Sequence, residues 1–569
     1  MHEQALSRSR GLGHAGLMAV VACLLTTWCV PVHGAPLPSD DPAARYHLDW
    51  TGSLKWSNVV SIEDFEGDGV EERLEKAQQA VAEKGGGVVY FPAGIYTFRE
   101  SIALRDSVIL RGAEPAGVRD ARNERYALAT RFEFPKYEPS FEGEGTPIHT
   151  AFKGIRLQSP EQASNCGVVN IATNRGHVDF QEGPQHRCGG NRLVYGCILR
   201  NAAVADTQVP DRKSGQRAWQ RFTQRHRAAV SIKSAQNVLV ANNRLPKSGE
   251  DNFTMKDYLL KDGSFDVVFD YDNRPGLYVN DYAIGGPGSQ GPDGTPETYP
   301  WGFRKGAVIR DNSIYCTGRC AISFSGDGTV CANNVIRFED DVWRPTVTGT
   351  SVATGSATND NRAVQMRGWR WTVEGNDYLV YRNWTADRQH RINDGEGLLH
   401  EDHANSTVLD SKLIGNRGNT YISFYKTAGI NGLLVRGNDI RTSGGLSAIY
   451  IVANRNDRNY ECRNVTIEDN VTAGSGIQIA GQPASNNIIR NNRHAGDGGR
   501  IINDAGAVCE NNVGYEIVAP RAGPEMHGWE QPDREDRTLD GAEPQRTALD
   551  IQALDSNHAL AYKGPVGQK

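Results

Sequence analysis

The stretch LLVRGNDI, residues 433–440, decides how the rest of the chain is read. Apolar residues alternate at Leu433 and Val435, an asparagine follows at Asn438, and an apolar residue returns at Ile440. Alternation with period two marks a strand with one buried face. The pattern apolar-x-apolar-x-x-Asn-x-apolar recurs in VLVANNRL (238–245), VIRDNSI (308–314), WTVEGNDY (371–378) and VTIEDNVT (465–472). Degenerate copies are IIRNNRH (488–494) and VCENNVG (508–514). The asparagines at the repeated place are Asn243, Asn312, Asn334, Asn376, Asn438, Asn470, Asn492 and Asn512, and several spacings lie near 22 residues. A unit this short cannot bury a core until its neighbours stack on it. The expected fold is therefore all-β, a parallel β-helix over 55–515, with the asparagines forming a side-chain ladder at one repeated bend. No asparagine fits the pattern between Asn376 and Asn438, where Lys412 is read as taking the ladder place.

Composition agrees with a thin solenoid. Hydrophobic residues make up 38% of the 569, and there are 62 glycines. Arg8 and Arg10 precede an apolar run, Leu17–Val30, with small residues before Ala35, so 1–34 reads as a cleaved signal peptide and the mature protein as secreted or periplasmic. Val20-Val21-Ala22-Cys23 is a weaker match to a lipoprotein box, since the apolar run continues beyond the cysteine. Residues 35–54 read as a linker and 516–569 as a polar, flexible tail. Of ten cysteines, Cys23 and Cys29 fall in the leader, and the eight that remain are too dilute for a disulfide-built scaffold. Cys331 and Cys509 each stand three residues before a ladder asparagine, several coils apart, and are not expected to pair; Cys316 and Cys320 flank a short turn and are the closest pair.

The amino-terminal part reads as strand, amphipathic helix, glycine turn and strand, with Leu74, Ala77, Gln78 and Val81 at helical spacing. Asp64-Phe65, Gly67-Asp68-Gly69, Gly85 to Gly87 and Phe91-Pro92-Ala93-Gly94-Ile95-Tyr96 resemble the opening of the pectate-lyase-like superfamily. The resemblance implies a right-handed β-helix with a capping helix, and carbohydrate chemistry of no single type, since that superfamily holds lyases, hydrolases, epimerases and tailspikes.

The stretch GEGLLHEDHANST, residues 395–407, concentrates titratable groups. Each coil carries an earlier strand before the one leading to the asparagine bend: AAVSIKSA, AISFSG, AVQMRGW, GLLHEDHA, TYISFYKTA, SAIYIVAN, GIQIAGQ and GRIINDAG. With Val364, Met366, Ile422, Phe424, Ile449 and Ile451 facing in, Gln365, Arg367, Ser423, Tyr425 and Tyr450 face out. His400 and Asp402 do so as well if Leu399 faces in. This places a row of polar and aromatic groups on one rigid sheet. Such a row suits an acidic sugar polymer, because rings stack on aromatic faces, arginine neutralises a carboxylate and a His or Tyr moves a proton. The superfamily resemblance implies Arg367, His400, Tyr425 and Lys426 as lyase candidates by position, with Glu401 and Asp402 beside them. Substrate contacts are assigned to Gln365, His403 and Tyr450.

Hydrolysis is the alternative, with Glu401 or Asp402 paired with Asp394 or Glu396. FEDDVW supplies Asp340 and Asp341 without the rest of a polygalacturonase signature. A non-catalytic glycan-binding surface protein is the competing class. No cofactor is required by the pattern, although His400, Asp402 and His403 would suit zinc or manganese, and calcium would need oxygen ligands. Two insertions carry further substrate candidates. SGQRAWQRFTQRHRAA (214–229), within an insertion at about 203–229, has Arg217, Arg221 and Arg225 at the i, i+4 spacing of a helix, an arrangement an anionic chain would explain. The second, about 246–300, contributes Asp270, Asp272, Asn273 and Arg274. The expected partner is an acidic polysaccharide or oligosaccharide, with no nucleic acid and no membrane beyond a lipid anchor at Cys23, and the protein is expected to be a monomer.

Overall fold

A computed structural model describes residues 37–518 apart from segments within that range, the longest being 181–189, 201–205, 210–219, 222–228, 247–267, 271–276, 280–305, 340–361, 382–398, 402–407 and 442–446; residues 1–36 and 519–569 lie outside the described residues. Three long sheets of 15, 12 and 13 strands carry the chain. Every coil visits them in the same order. Thr372–Glu374 lies in the first sheet, Asp377–Tyr381 in the second and Leu399–Glu401 in the third, after which Val408–Ile414 re-enters the first beside Thr372–Glu374. All rungs of the three sheets are parallel, and the crossover from one rung to the next gives the right-handed parallel β-helix. Among the described residues no helix is long and apolar enough to cross a membrane.

The bend between the first and second sheets explains the repeated motif. It is two residues long, and its first residue has a left-handed backbone: Asn242, Asp311, Asn333, Gly375, Gly415, Gly437, Asp469, Asn491 and Asn511 all have φ between 53° and 66°. Gly, Asn and Asp reach that region at least cost, so the residue before each ladder asparagine is one of these three. The asparagine itself turns inward. Asn312 Nδ2 donates to Asn334 Oδ1 at 2.8 Å, Asn334 to Asn376 at 2.9 Å, and Asn438 to Asn470 at 2.9 Å. Each Oδ1 also accepts the backbone N–H of the preceding coil's asparagine, so buried amides are satisfied from end to end. The ladder has no gap between Asn376 and Asn438, because Asn416 fills it. Lys412 is not a ladder residue. It stands on the exposed outer face of the first sheet, in register with Thr372 and Leu434.

At the amino end the helix Val70–Glu83 closes the core with Val70, Leu74, Ala77, Gln78 and Val81. Buried Gln78 is fully used, donating to Ala103 O at 3.1 Å and accepting from the Arg105 N–H at 2.9 Å. The residues before it are folded and not a linker. Ala43, Leu54 and Trp56 pack on Val88, Ile109, Leu193 and Leu239, the outward apolar positions of the first sheet's early strands. Arg111, whose side chain is wholly buried, holds this segment by donating to Asp40 O at 2.7 Å and pairing with Asp40 and Glu114.

Cys331 and Cys509 are both free thiols, as are Cys166, Cys197 and Cys462. The side chains of Cys316 and Cys320 are outside the described residues.

Candidate functional site

The register of the third sheet sorts its side chains into columns. One inward column runs Ile322, Val364, Leu399, Ile422, Ile449, Ile477; a second runs Phe324, Met366, Glu401, Phe424, Ile451, Ile479. Between them, on the opposite face, runs a column of polar and aromatic residues: Arg156, Asp179, Ser231, Tyr278, Ser323, Gln365, His400, Ser423, Tyr450 and Gln478. The apolar-polar-apolar triplets of the sequence (VDF, VSI, ISF, VQM, LHE, IYI, IQI) produce this arrangement directly, because successive strand residues face opposite sides.

By backbone register Leu399 pairs with Val364 and Ile422, His400 with Gln365 and Ser423, and Glu401 with Met366 and Phe424. Gln365, His400 and Tyr450 share one column, whereas Arg367 lies two residues further along its strand, in register with Ser325, one column over on the same face. The side chains of Arg367, His400 and Glu401, and the whole of Asp402, His403, Tyr425 and Lys426, are outside the described residues. So are Asp340, Asp341, Asp394 and Glu396.

The outward column is withdrawn from solvent, contrary to the exposed wall expected from alternation. Gln365 is 4% exposed, Tyr450 9%, and Ser231, Ser323, Ser423 and Gln478 are all buried. Ser323 donates to Gln365 Oε1 at 3.0 Å across one rung. Burial pushes the Tyr450 hydroxyl well above the usual phenol range, which favours its protonated form. Towards the amino end, buried His177 and Asp179 approach to 4.0 Å, and Arg156 pairs in register with Asp179. Burial pushes the Arg156 guanidinium down from its ordinary value. His177 and Asp179 lie in the coil whose ladder position is held by Ile171, and Arg156 in the coil before it, which is why the asparagine pattern did not bring their strands into line.

The chain places its long connections along this sheet. Residues 201–229, 246–276, 340–361 and 382–398 each lead from the second sheet to the third, and 280–306 leads from the third back to the first. The bends of the ladder admit no such insertion. Leu277–Val279, within the stretch read as the second insertion, is itself a strand of the third sheet. Two of the connections meet: Asp206–Val209 pairs antiparallel with Gln220–Arg221 on one side and with Val268–Asp270 on the other. Arg221 is therefore in a strand, and 214–229 is not one helix carrying Arg217, Arg221 and Arg225 as a stripe. Arg217, Arg225, Asp272, Asn273 and Arg274 are outside the described residues.

No protein-family model matches the sequence, and no curated protein matches it. Among solved structures the chain is similar to a tailspike protein of E. coli bacteriophage HK620, at 12% identity and a TM-score of 0.39, covering 82% of this chain and 68% of that one. It is also similar to the A-module of a mannuronan C-5 epimerase from Azotobacter vinelandii, at 14% identity and a TM-score of 0.32, over 81% of this chain and 100% of that one. A third is PfbA, a surface adhesin of Streptococcus pneumoniae, at 13% identity and a TM-score of 0.37, over 81% and 93%.

Proposed function

We propose that this chain is an exported enzyme that depolymerises an acidic polysaccharide by β-elimination on the outer face of its third sheet. The observation that carries the reading is the single unbroken column from Arg156 to Gln478. Its nine rung intervals, at about 4.8 Å each, span roughly 43 Å, a length that suits an extended polymer and far exceeds what a small metabolite needs. Long connections join this sheet at both of its borders, where the loops beside such a groove would be attached.

The chemistry follows from the residue types at the centre. In elimination from a uronate, the proton next to the carboxylate becomes removable when a cation balances that carboxylate, and a base then takes it. Arg367, one column from His400 on the same face, is the cation of this reading, and His400 the base. Tyr450, held protonated by burial, donates a hydrogen bond to the sugar and leaves proton abstraction to His400, with Tyr425, Lys426 and Asp402 in support.

The test is the purified full-length chain against polygalacturonate, alginate, hyaluronate and a neutral polymer, reading ultraviolet absorbance and reducing ends together. Absorbance rising with reducing ends on an acidic polymer is expected, because elimination leaves a conjugated unsaturated sugar. Reducing ends without absorbance would replace elimination by hydrolysis, and binding without either would leave a glycan-binding surface protein.

A further inference from the structure

An inward column of the third sheet runs from Ile449 through Ile477 and Ile501, all 0% exposed, and ends on Ile517, which is 54% exposed. Val508 and Val513 of the same last coil are 56% and 63% exposed. Among the described residues the other large apolar side chains left in solvent are Leu37 and Ile95, so it is the carboxyl end of the solenoid that gathers them. Its backbone is open as well. The three sheets end on Val508–Glu510, Arg493–His494 and Tyr515–Val518, and the asparagine ladder ends at Asn512. A last coil left uncovered shows core side chains and unpaired strand edges to solvent, which invites pairing with a further segment. The amino end has no such face, because Val70–Glu83 lies over it.

The chain supplies an occupant. Residues 519–569 follow directly on Val518, the last residue of the last strand. Proline, glycine and charged residues dominate 519–547, whereas 548–562 reads ALDIQALDSNHALAY, with Leu549, Ile551, Leu554, Leu560 and Tyr562. Leu549, Ile551 and Ala553 alternate with Asp550 and Gln552, the period of a strand with one apolar face. A second copy is the weaker fit. Three aliphatic side chains, each little more than half exposed, fall well short of the roughly 800 Å² per partner that a stable interface between two chains buries. A tethered segment needs no such area, because its attachment holds it near the patch at high effective concentration.

We propose that 548–562 caps the carboxyl end of the solenoid, its apolar side chains covering Val508, Val513 and Ile517 and its backbone pairing with the open strand edge. The fold is then closed at both ends by its own chain.

The test is hydrogen exchange, read by mass spectrometry, on the full-length chain beside a variant carrying Leu549→Asp, Ile551→Asp and Leu554→Asp, each at two protein concentrations. In the parent, the amides of 508–518 and of 548–562 are expected to be protected together, at the same level at both concentrations. In the variant, exchange at 508–518 should be faster by about tenfold or more, while Ile422–Phe424, far from this end, keeps its protection. An unprotected 548–562 in the parent would overturn the inference, and that result needs no variant to fold. Equal protection of 508–518 in parent and variant would also overturn it. So would protection of 508–518 that rises with concentration, which would give the patch to a second copy.

Discussion

Asn376 Nδ2 donates to Asn416 Oδ1 at 2.9 Å, and the same Oδ1 accepts the Asn376 backbone N–H at 3.1 Å. Asn416 in turn donates to Val373 O at 2.9 Å and to Asn438 Oδ1 at 3.0 Å. One side chain thus satisfies buried groups on three coils. Asn416→Ala leaves the Asn376 backbone N–H without its acceptor and takes away one of the two bonds of the Asn376 amide, which keeps Cys331 O; at about 1–3 kcal/mol for each buried group left unpaired it should cost more than about 1 kcal/mol. Lys412→Ala, on the exposed face, should change stability by no more than about 0.5 kcal/mol. Chemical denaturation of the two variants checks the assignment, and a reversed order would return the ladder place to Lys412.

That coil also shows what sequence can and cannot carry. The ladder was legible because a bend that needs a left-handed residue followed by an inward amide admits few residue types, and the period exposes them. LIGNRG (413–418) obeys the same rule, with Gly415 at φ 62° before Asn416; it escaped because Gly418 stands where an apolar residue was required. In the third sheet the triplets gave the strands, and the inward or outward sense of Gln365, Ser423 and Tyr450 came with them. Burial of that outward face was not legible, because alternation reports which side a residue takes and not what covers that side. The insertions failed for a related reason. Arg217, Arg221 and Arg225 have helical spacing, but the pairing of Gln220–Arg221 with Asp206–Val209 is made between residues far apart for a local pattern.

The segment before the first strand was read as a linker from its position and is held by tertiary contacts. Trp56 is buried against the first sheet and donates its indole N–H to Thr51 O at 2.8 Å. Trp56→Ala should lower stability by about 3–5 kcal/mol, as for other buried tryptophans, and should open 38–58 to proteolysis before the rest of the solenoid. Limited digestion followed by mass determination checks both the site and the order. Simultaneous loss of the whole chain would show that this segment is not a separable layer.

His400 is placed by backbone register alone. Its rung lies between Gln365, tied to Ser323 at 3.0 Å, and Ser423, so it belongs to the column that a polymer would follow. His400→Ala removes the proposed base without touching either inward column, and turnover should fall by about 10²–10⁴-fold, the range for a lost general base. Stability should move by less than about 1 kcal/mol. Gln365→Ala removes a contact group and not a base, so it should raise KM several-fold with kcat retained. The pH profile separates these roles: the acid limb of the parent's kcat/KM should flatten in His400→Ala and persist in Gln365→Ala, because only the histidine must lose a proton before it can accept one from the sugar. A parent-like acid limb in His400→Ala would pass the base to Tyr425 or Lys426, and full activity in both variants would remove this column from the chemistry altogether.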